Sequence, residues 1–376
     1  MTDQKQQALV SLGLVLDTTE ASLASLVNPA ENPTQLSLDL SLLHKDFISI
    51  LSFIYTSTTK LSLVLKSSSP SYKAALEPLK ELSDRIASLP HCLRLIQTDH
   101  GKTLAAEATA IAKDVLQAAR ALFQTLITIH SPQSASHLNA GDDYLIRTGA
   151  VHEIVEKARS KDGFSKDNLA AVIKVWKRNQ ESLDDGKNEV QETLDSTEDD
   201  AQDDFDNGWD ELGFTPGLKP SATEMERIKK IHAIVRLSTL FHQRILQDVL
   251  TPLSSSLPLP SETNRILDNL AHASSDFLAC SDNFVSTMYL PQVAVNMGLE
   301  LDSYQRQLTH LQESMDPLIL DTPSEPQLQG LQPSRTSKTP EHYAKLRKWC
   351  TACINQVNKN IHELARELKE AETPIG

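Results

Sequence analysis

The longest regular pattern of apolar positions runs from Leu36 to Val64. Leu36, Leu40, Leu43, Phe47, Ile50, Ile54, Leu61 and Val64 recur at alternating steps of four and three, with Ser57 filling one slot. Residues at that spacing share one face of an α-helix, so the segment predicts a helix of about eight turns. Leu38, Leu42, Ile48, Leu51 and Leu63 widen the apolar face, which suits a central helix of a bundle better than a two-stranded coiled coil. Leu36, Leu38, Leu40 and Leu42 also alternate as a strand would, but the heptad persists far longer than that alternation. A second stripe holds Leu104, Ala108, Ile111, Val115, Ala118, Leu122, Leu126 and Ile129 and ends before Ser131-Pro132. Shorter amphipathic stretches cover Leu9–Val27, Tyr72–Leu89 and Tyr144–Ala158. Ser165 is the expected N-cap of a further helix, with Asp167 in its first turn. That helix presents Leu169, Val172, Ile173, Trp176, Leu183, Val190 and Leu194 on one face. Together these segments predict a bundle of five or six helices over residues 1–195.

Residues 196–220 break the pattern. Nine acidic residues and no basic one lie between Asp195 and Glu211, followed by Gly213, Pro216, Gly217 and Pro220. This reads as an acidic linker. Ser221 and Glu224 then have the spacing of a capping box, opening a helix whose face carries Ile228, Ile231, Val235, Phe241, Ile245 and Val249. The next stripe holds Ile266, Leu270, Ala273, Phe277, Cys280, Phe284 and Met288, and Pro291 should kink or restart it. A Pro-, Gln- and Ser-rich loop is expected over 317–338. Thr339-Pro340-Glu341 reads as N-cap, first-position proline and first-turn acid of a last helix bearing Tyr343, Leu346, Cys350, Cys353, Val357, Leu364 and Leu368. The expected architecture is all-α: an N-terminal bundle (1–195), an acidic linker (196–220) and a C-terminal bundle (221–376).

Composition sharpens the picture in two ways. Aromatic residues make up 5% and there are only 12 glycines in 376 residues, so the residue types that build sheets and their turns are scarce. The formal net charge of −14 argues against nucleic-acid binding and against anionic membrane surfaces. Without the nine linker carboxylates the remainder carries only −5. Four cysteines in a long chain fit a reducing compartment. The first dozen residues lack the charged-then-apolar design of a leader, and no run of about 18 apolar residues is evident, so no membrane span is expected.

The chemical motifs fail one by one. His100-Gly101-Lys102-Thr103 ends like a phosphate-binding loop, but Ile96 stands where the earlier glycine belongs and no strand precedes it. Cys350 and Cys353 form a CxxC with no second ligand pair nearby, on the apolar stripe of a helix, where packing is the expected role. In Asp203-Asp204-Phe205-Asp206-Asn207-Gly208, phenylalanines fall at the third and twelfth positions of the calcium loop that Gly208 would define, so carboxylate ligation fails. Arg227-Ile228-Lys229-Lys230 and Lys345-Leu346-Arg347-Lys348 read as solvated helix faces and, secondly, as short nuclear-import signals. The twelve histidines show no metal-ligand spacing; His232 and His242, on one helix, fall on different faces. No cofactor, metal or catalytic residue is expected. The acidic linker is either a solvated connection or a docking strip. In the second case Phe205 and Trp209, flanked by Asp210 and Glu211, are the partner-binding residues, with Phe214 as a further anchor.

The run Ser165-Lys-Asp-Asn-Leu-Ala-Ala-Val-Ile-Lys-Val-Trp, the following Leu183-Asp184-Asp185 and the acidic segment carrying Gly208-Trp209-Asp210-Glu211-Leu212-Gly213 resemble the cyclin-D-binding protein family, also called the GCIP family. The order of a leucine-rich helical domain, an acidic Trp-containing connection and a second helical domain is similar as well. The resemblance implies a cell-cycle regulator found in cytoplasm and nucleus that binds D-type cyclins, adaptor proteins and helix-loop-helix transcription factors and restrains cyclin-dependent phosphorylation. It also implies the lack of a basic DNA-contacting region, which this chain shares. The expectation is a non-enzymatic interaction adaptor with helical protein partners and no direct nucleic-acid or membrane contact. A vinculin- or catenin-like cytoskeletal scaffold is the alternative, although repeated bundles and a basic face are missing from the sequence.

Overall fold

The computed structural model describes residues 2–27, 38–131, 142–199, 220–253, 261–320 and 340–372. Among them there is no strand; the fold is all-α. The helices are α1 (Thr2–Val27), α2 (Leu40–Val64), α3 (Tyr72–Asp99), α4 (Lys102–His130), α5 (Asp143–Arg159), α6 (Asn168–Asp199), α7 (Ala222–Ile245), α8 (Ser261–Ser286), α9 (Ala294–Leu320) and α10 (Pro340–Glu372). Beyond Ile245, α7 continues through a π turn, Leu246–Leu250, and Thr251–Leu253.

Two compact units divide the chain at Ala171/Val172. The sequence placed the division at the acidic linker, and the difference has a physical reason. α6, which precedes the linker, turns Trp176, Asn179 and Gln180 onto α7 and α8, which follow it. The linker therefore connects two helices of one core. The spans 1–195 and 221–376 are corrected to 1–171 and 172–376, and residues 200–219 of the linker lie outside the described residues.

In the first unit α1 packs on α3 and α4, α2 on α3 and α5, and α4 on α5, which closes a ring of five helices; α3 and α4 also touch. Phe47, Leu51, Ile54, Leu79, Ile86, Leu122 and Phe123 meet in its interior with no exposed surface. Each such side chain contributes about 1.5–3 kcal/mol on removal from water. The polar slot at Ser57 is buried too, and its hydroxyl donates to Glu81 Oε2 at 2.7 Å. Ser62 and Thr148 join α2 to α5 at 2.6 Å, and Tyr55 stacks on His152 with centroids 3.9 Å apart. His130 closes the base of the bundle: Nε2 donates to the Leu65 carbonyl at 2.9 Å, leaving Nδ1 to accept from the Tyr72 hydroxyl at 3.2 Å.

Several expectations change in detail. The heptad helix starts at Leu40 behind the N-cap Asp39, whose carboxylate accepts from Ser41 N at 3.0 Å. Leu36 lies outside the described residues, and Leu38, Leu42 and Leu63 are exposed, so they do not widen the core face. The third helix passes through Pro78 and Pro90 to Asp99 instead of stopping at Leu89; burial of Leu89, Cys92, Leu93 and Ile96 outweighs the missing backbone bonds. Asp167, not Ser165, caps α6, accepting from Ala170 N at 2.8 Å. α1 and α2 are also apolar enough to cross a membrane over an 18-residue window, with mean hydropathy 1.3, contrary to the sequence expectation. The serines and threonines of α2 hide that average from a search for unbroken apolar runs, and here α2 spends its apolar face on the bundle core.

In the second unit α7, α8, α9 and α10 form a closed four-helix ring, with α6 added across α7 and α8. The Ser221–Glu224 capping box forms as expected: Glu224 N donates to Ser221 Oγ at 3.2 Å and Ser221 N to Glu224 Oε2 at 2.8 Å. The face from Ile228 to Val249 is buried throughout. Pro340 takes the first position of α10. Pro317 lies inside α9, so the expected loop starts later than 317; residues 321–339 lie outside the described residues.

Candidate partner-binding site

Phe205, Trp209, Asp210 and Glu211, the residues singled out by the sequence for partner binding, lie outside the described residues. The remaining motifs resolve into structural roles. Gly101 is the N-cap of α4 at φ 100°, a conformation that favours glycine, and Asn168 Oδ1 accepts from Leu104 N at 2.9 Å. A side chain thus occupies the helix N-terminus that a phosphate would need. A Cβ on Gly101 would stand 2.1 Å from Asn168 Cγ, so any other residue there strains the backbone and must displace the Asn168 side chain. Cys350 and Cys353 are buried in α10, where burial pushes their thiols up to about 12 and about 11. They remain protonated and pack as small apolar groups. Among the described residues no group of metal-ligating side chains comes together. The first basic cluster is not simply solvated, since Arg227 is buried and pairs with Glu367 at 3.5 Å, and Lys230 pairs with the same carboxylate.

The segment carrying the family resemblance builds a polar chain that the sequence did not reveal. Trp176 is fully buried and stacks on His242 at 4.2 Å with the rings 13° apart; its indole N–H donates to the His242 carbonyl at 3.1 Å. Gln180 Nε2 donates to Asp184 Oδ2 at 2.9 Å, so Gln180 Oε1 faces His242 Nδ1 at 2.7 Å and must accept its proton. Nε2 then accepts from the Ser274 hydroxyl at 2.8 Å, and Ser274 Oγ accepts in turn from Asn179 Nδ2 at 2.9 Å. Every donor in this chain has one direction. Burial pushes the His242 pKa down to about 3, with the Asp184 charge opposing, so the ring is neutral. Burial alone would raise Asp184, but the bonds from Gln180 and Lys187 outweigh it and hold the carboxylate below its ordinary value. With both ring nitrogens committed, His242 orders the core and has no free valence for proton transfer.

An accessible concavity lies in the first unit. A groove of about 690 Å³ runs between α1, α3 and α4. Ala21, Ser22 and Ser25 of α1, Ala87 and Pro90 of α3, and Ala105, Ala106, Thr109 and Ala110 of α4 form its floor and walls. The charged residues lining it are Arg94, Lys102 and Lys113; no carboxylate lines it. These positions are spread over 96 residues of sequence and carry ordinary helix formers, so no linear motif marks the groove. The signal available was the Lys102, Ala106, Ala110, Lys113 spacing on α4, a face lying apart from its apolar stripe.

Residues 46–196 match the family model described as Grap2 and cyclin-D-interacting, N-terminal. No curated protein matches the chain. The matched stretch begins inside α2 and ends inside α6, and so contains both the Gly101–Asn168 lock and the Trp176 side of the polar chain.

Proposed function

We propose that this chain is a member of the GCIP family, as the match over 46–196 supports, and that it is a non-enzymatic adaptor that regulates cell-cycle progression by binding a cyclin or a comparable helical regulator. The family match is the observation that carries the reading, because its description names interaction with cyclin D and with Grap2. The interior chemistry agrees with it. The buried thiols are held protonated and His242 is neutral with both nitrogens bonded, so these groups serve packing. The adaptor works in the cytoplasm and nucleus, where its partners are.

Purified full-length chain titrated with a purified D-type cyclin, alone and with its kinase, tests the proposal. Saturable binding, with reduced phosphorylation of a kinase substrate, is the expected result. Absence of saturable binding to either form overturns the cyclin reading. Co-sedimentation with actin filaments in that case would favour the scaffold alternative.

A further inference from the structure

We propose that the groove between α1, α3 and α4 receives an acidic amphipathic helix of a protein partner. This rests on the interaction reading but not on the identity of the partner as a cyclin.

Charge is the first argument. The chain carries −14 overall, yet the groove is lined by Arg94, Lys102 and Lys113 and by no carboxylate. Residues 1–171 are nearly balanced, with 18 acidic and 16 basic side chains, so a groove lined by three basic residues and no acidic one is a local positive patch that favours an acidic segment. Shape is the second. Ala87, Ala106 and Ala110 are exposed within the groove although they offer only methyl groups, so the space beside them is open to incoming side chains. A volume of about 690 Å³ takes several branched apolar side chains while staying open along one side. Length is the third. From Lys102 to Lys113 the α4 wall rises about 16 Å, or three turns, at 1.5 Å per residue. An element of that length with apolar anchors on one face is a helix read at i, i+4 and i+7, its flanking carboxylates reaching Arg94 and Lys113.

The test uses full-length chain and a fluorescently labelled synthetic helical peptide of about 20 residues, with leucines at i, i+4 and i+7 and glutamates on the flanks. Anisotropy should report saturable binding in the micromolar range that weakens as salt rises. Ala106→Trp should weaken it at least roughly tenfold by filling the groove, and Arg94→Glu with Lys113→Glu by a similar factor. All three positions are exposed, so the melting temperature should hold; Ala110→Trp repeats the test on an independent position. The proposal falls if no saturable binding occurs, if neither tryptophan variant changes it, or if a peptide of equal composition with scattered leucines binds as well. It also falls if binding appears only after the nine carboxylates between 195 and 211 are replaced, since the groove would then belong to the chain's own acidic segment. Peptide binding with no cyclin binding would remove the cyclin and leave the groove. Cyclin binding that Ala106→Trp leaves intact, alongside absent peptide binding, would do the reverse.

Discussion

Each unit buries a histidine, and the two are held differently. His130 sits at the end of α4, bonded to one carbonyl and one phenol, and the core around it is almost wholly Leu, Ile, Ala and Phe. His242 sits in the last turn of α7, and its neighbours Gln180, Asn179 and Ser274 run through the packing of three helices. The first core closes mainly on shape, which tolerates repacking as long as volume is kept, and its buried hydroxyls bond in separate pairs, Ser57 to Glu81 and Ser62 to Thr148. In the second the polar groups join into one directed chain across three helices, and a buried polar group left without its partner costs about 1–3 kcal/mol. The contrast also has a charge side: residues 1–171 hold 18 acidic and 16 basic side chains, against 32 and 20 in the rest.

The comparison can be tested unit by unit, because all three tryptophans fall in the second unit's span, and tryptophan fluorescence reports that unit alone. The largest effect is expected from Trp176→Ala, about 3–5 kcal/mol by loss of a fully buried indole. Followed by circular dichroism in urea, it should lower the transition of the second unit and leave that of the first in place. A single transition moving as one would erase the distinction between the cores. Acid comes next. His242 binds a proton near pH 6.5 when unfolded and only near 3 when folded, so its contribution is complete above 6.5 and is lost as pH falls toward 3. The loss should approach about 1.4 kcal/mol per pH unit, be visible in the fluorescence-detected midpoint, and flatten in His242→Gln. His130, also lowered by burial, acts with the same sign in the first unit. Gly101→Ala should cost the first unit about 1–3 kcal/mol through its positive φ and the collision with Asn168, with the fluorescence transition unchanged. Ser221→Ala, which removes one half of the capping box, should cost about 1 kcal/mol, read in the fluorescence midpoint.

Helix faces were legible because a 3.6-residue period writes itself into Leu, Ile and Ala positions; the stripes on α2, α4, α7 and α10 were located from spacing alone. The polar chain was not. Asn179 and Gln180 fall between Trp176 and Leu183 on the apolar face of α6, but a polar residue on a stripe reads as a solvated break until its partners are known. Those partners, His242 and Ser274, are more than 60 residues away in sequence and reach it only through tertiary packing. The stretch over Tyr72–Leu89 falls short of the helix for a similar reason: the pattern weakens at Pro90, and the burial of Cys92, Leu93 and Ile96 beyond it carries the helix on to Asp99. The groove is legible only once α1, α3 and α4 are side by side, since its alanines are inconspicuous on any single helix.

The placement of α6 has a consequence for the order in which the protein is made. A ribosome completes the first unit at Ala171 and next releases Val172, Trp176, Leu183 and Val190, an apolar face whose partners in α7 and α8 have not been synthesised. At about 5–20 residues per second, the wait for His242 and Ser274 lasts several seconds. The chain emerging straight after that face is its most acidic, with nine carboxylates between Asp195 and Glu211. Like charges flanking a hydrophobic segment keep nascent chains from associating through it. By charge and by position the acidic run suits the task of keeping that face apart from other chains until its core arrives.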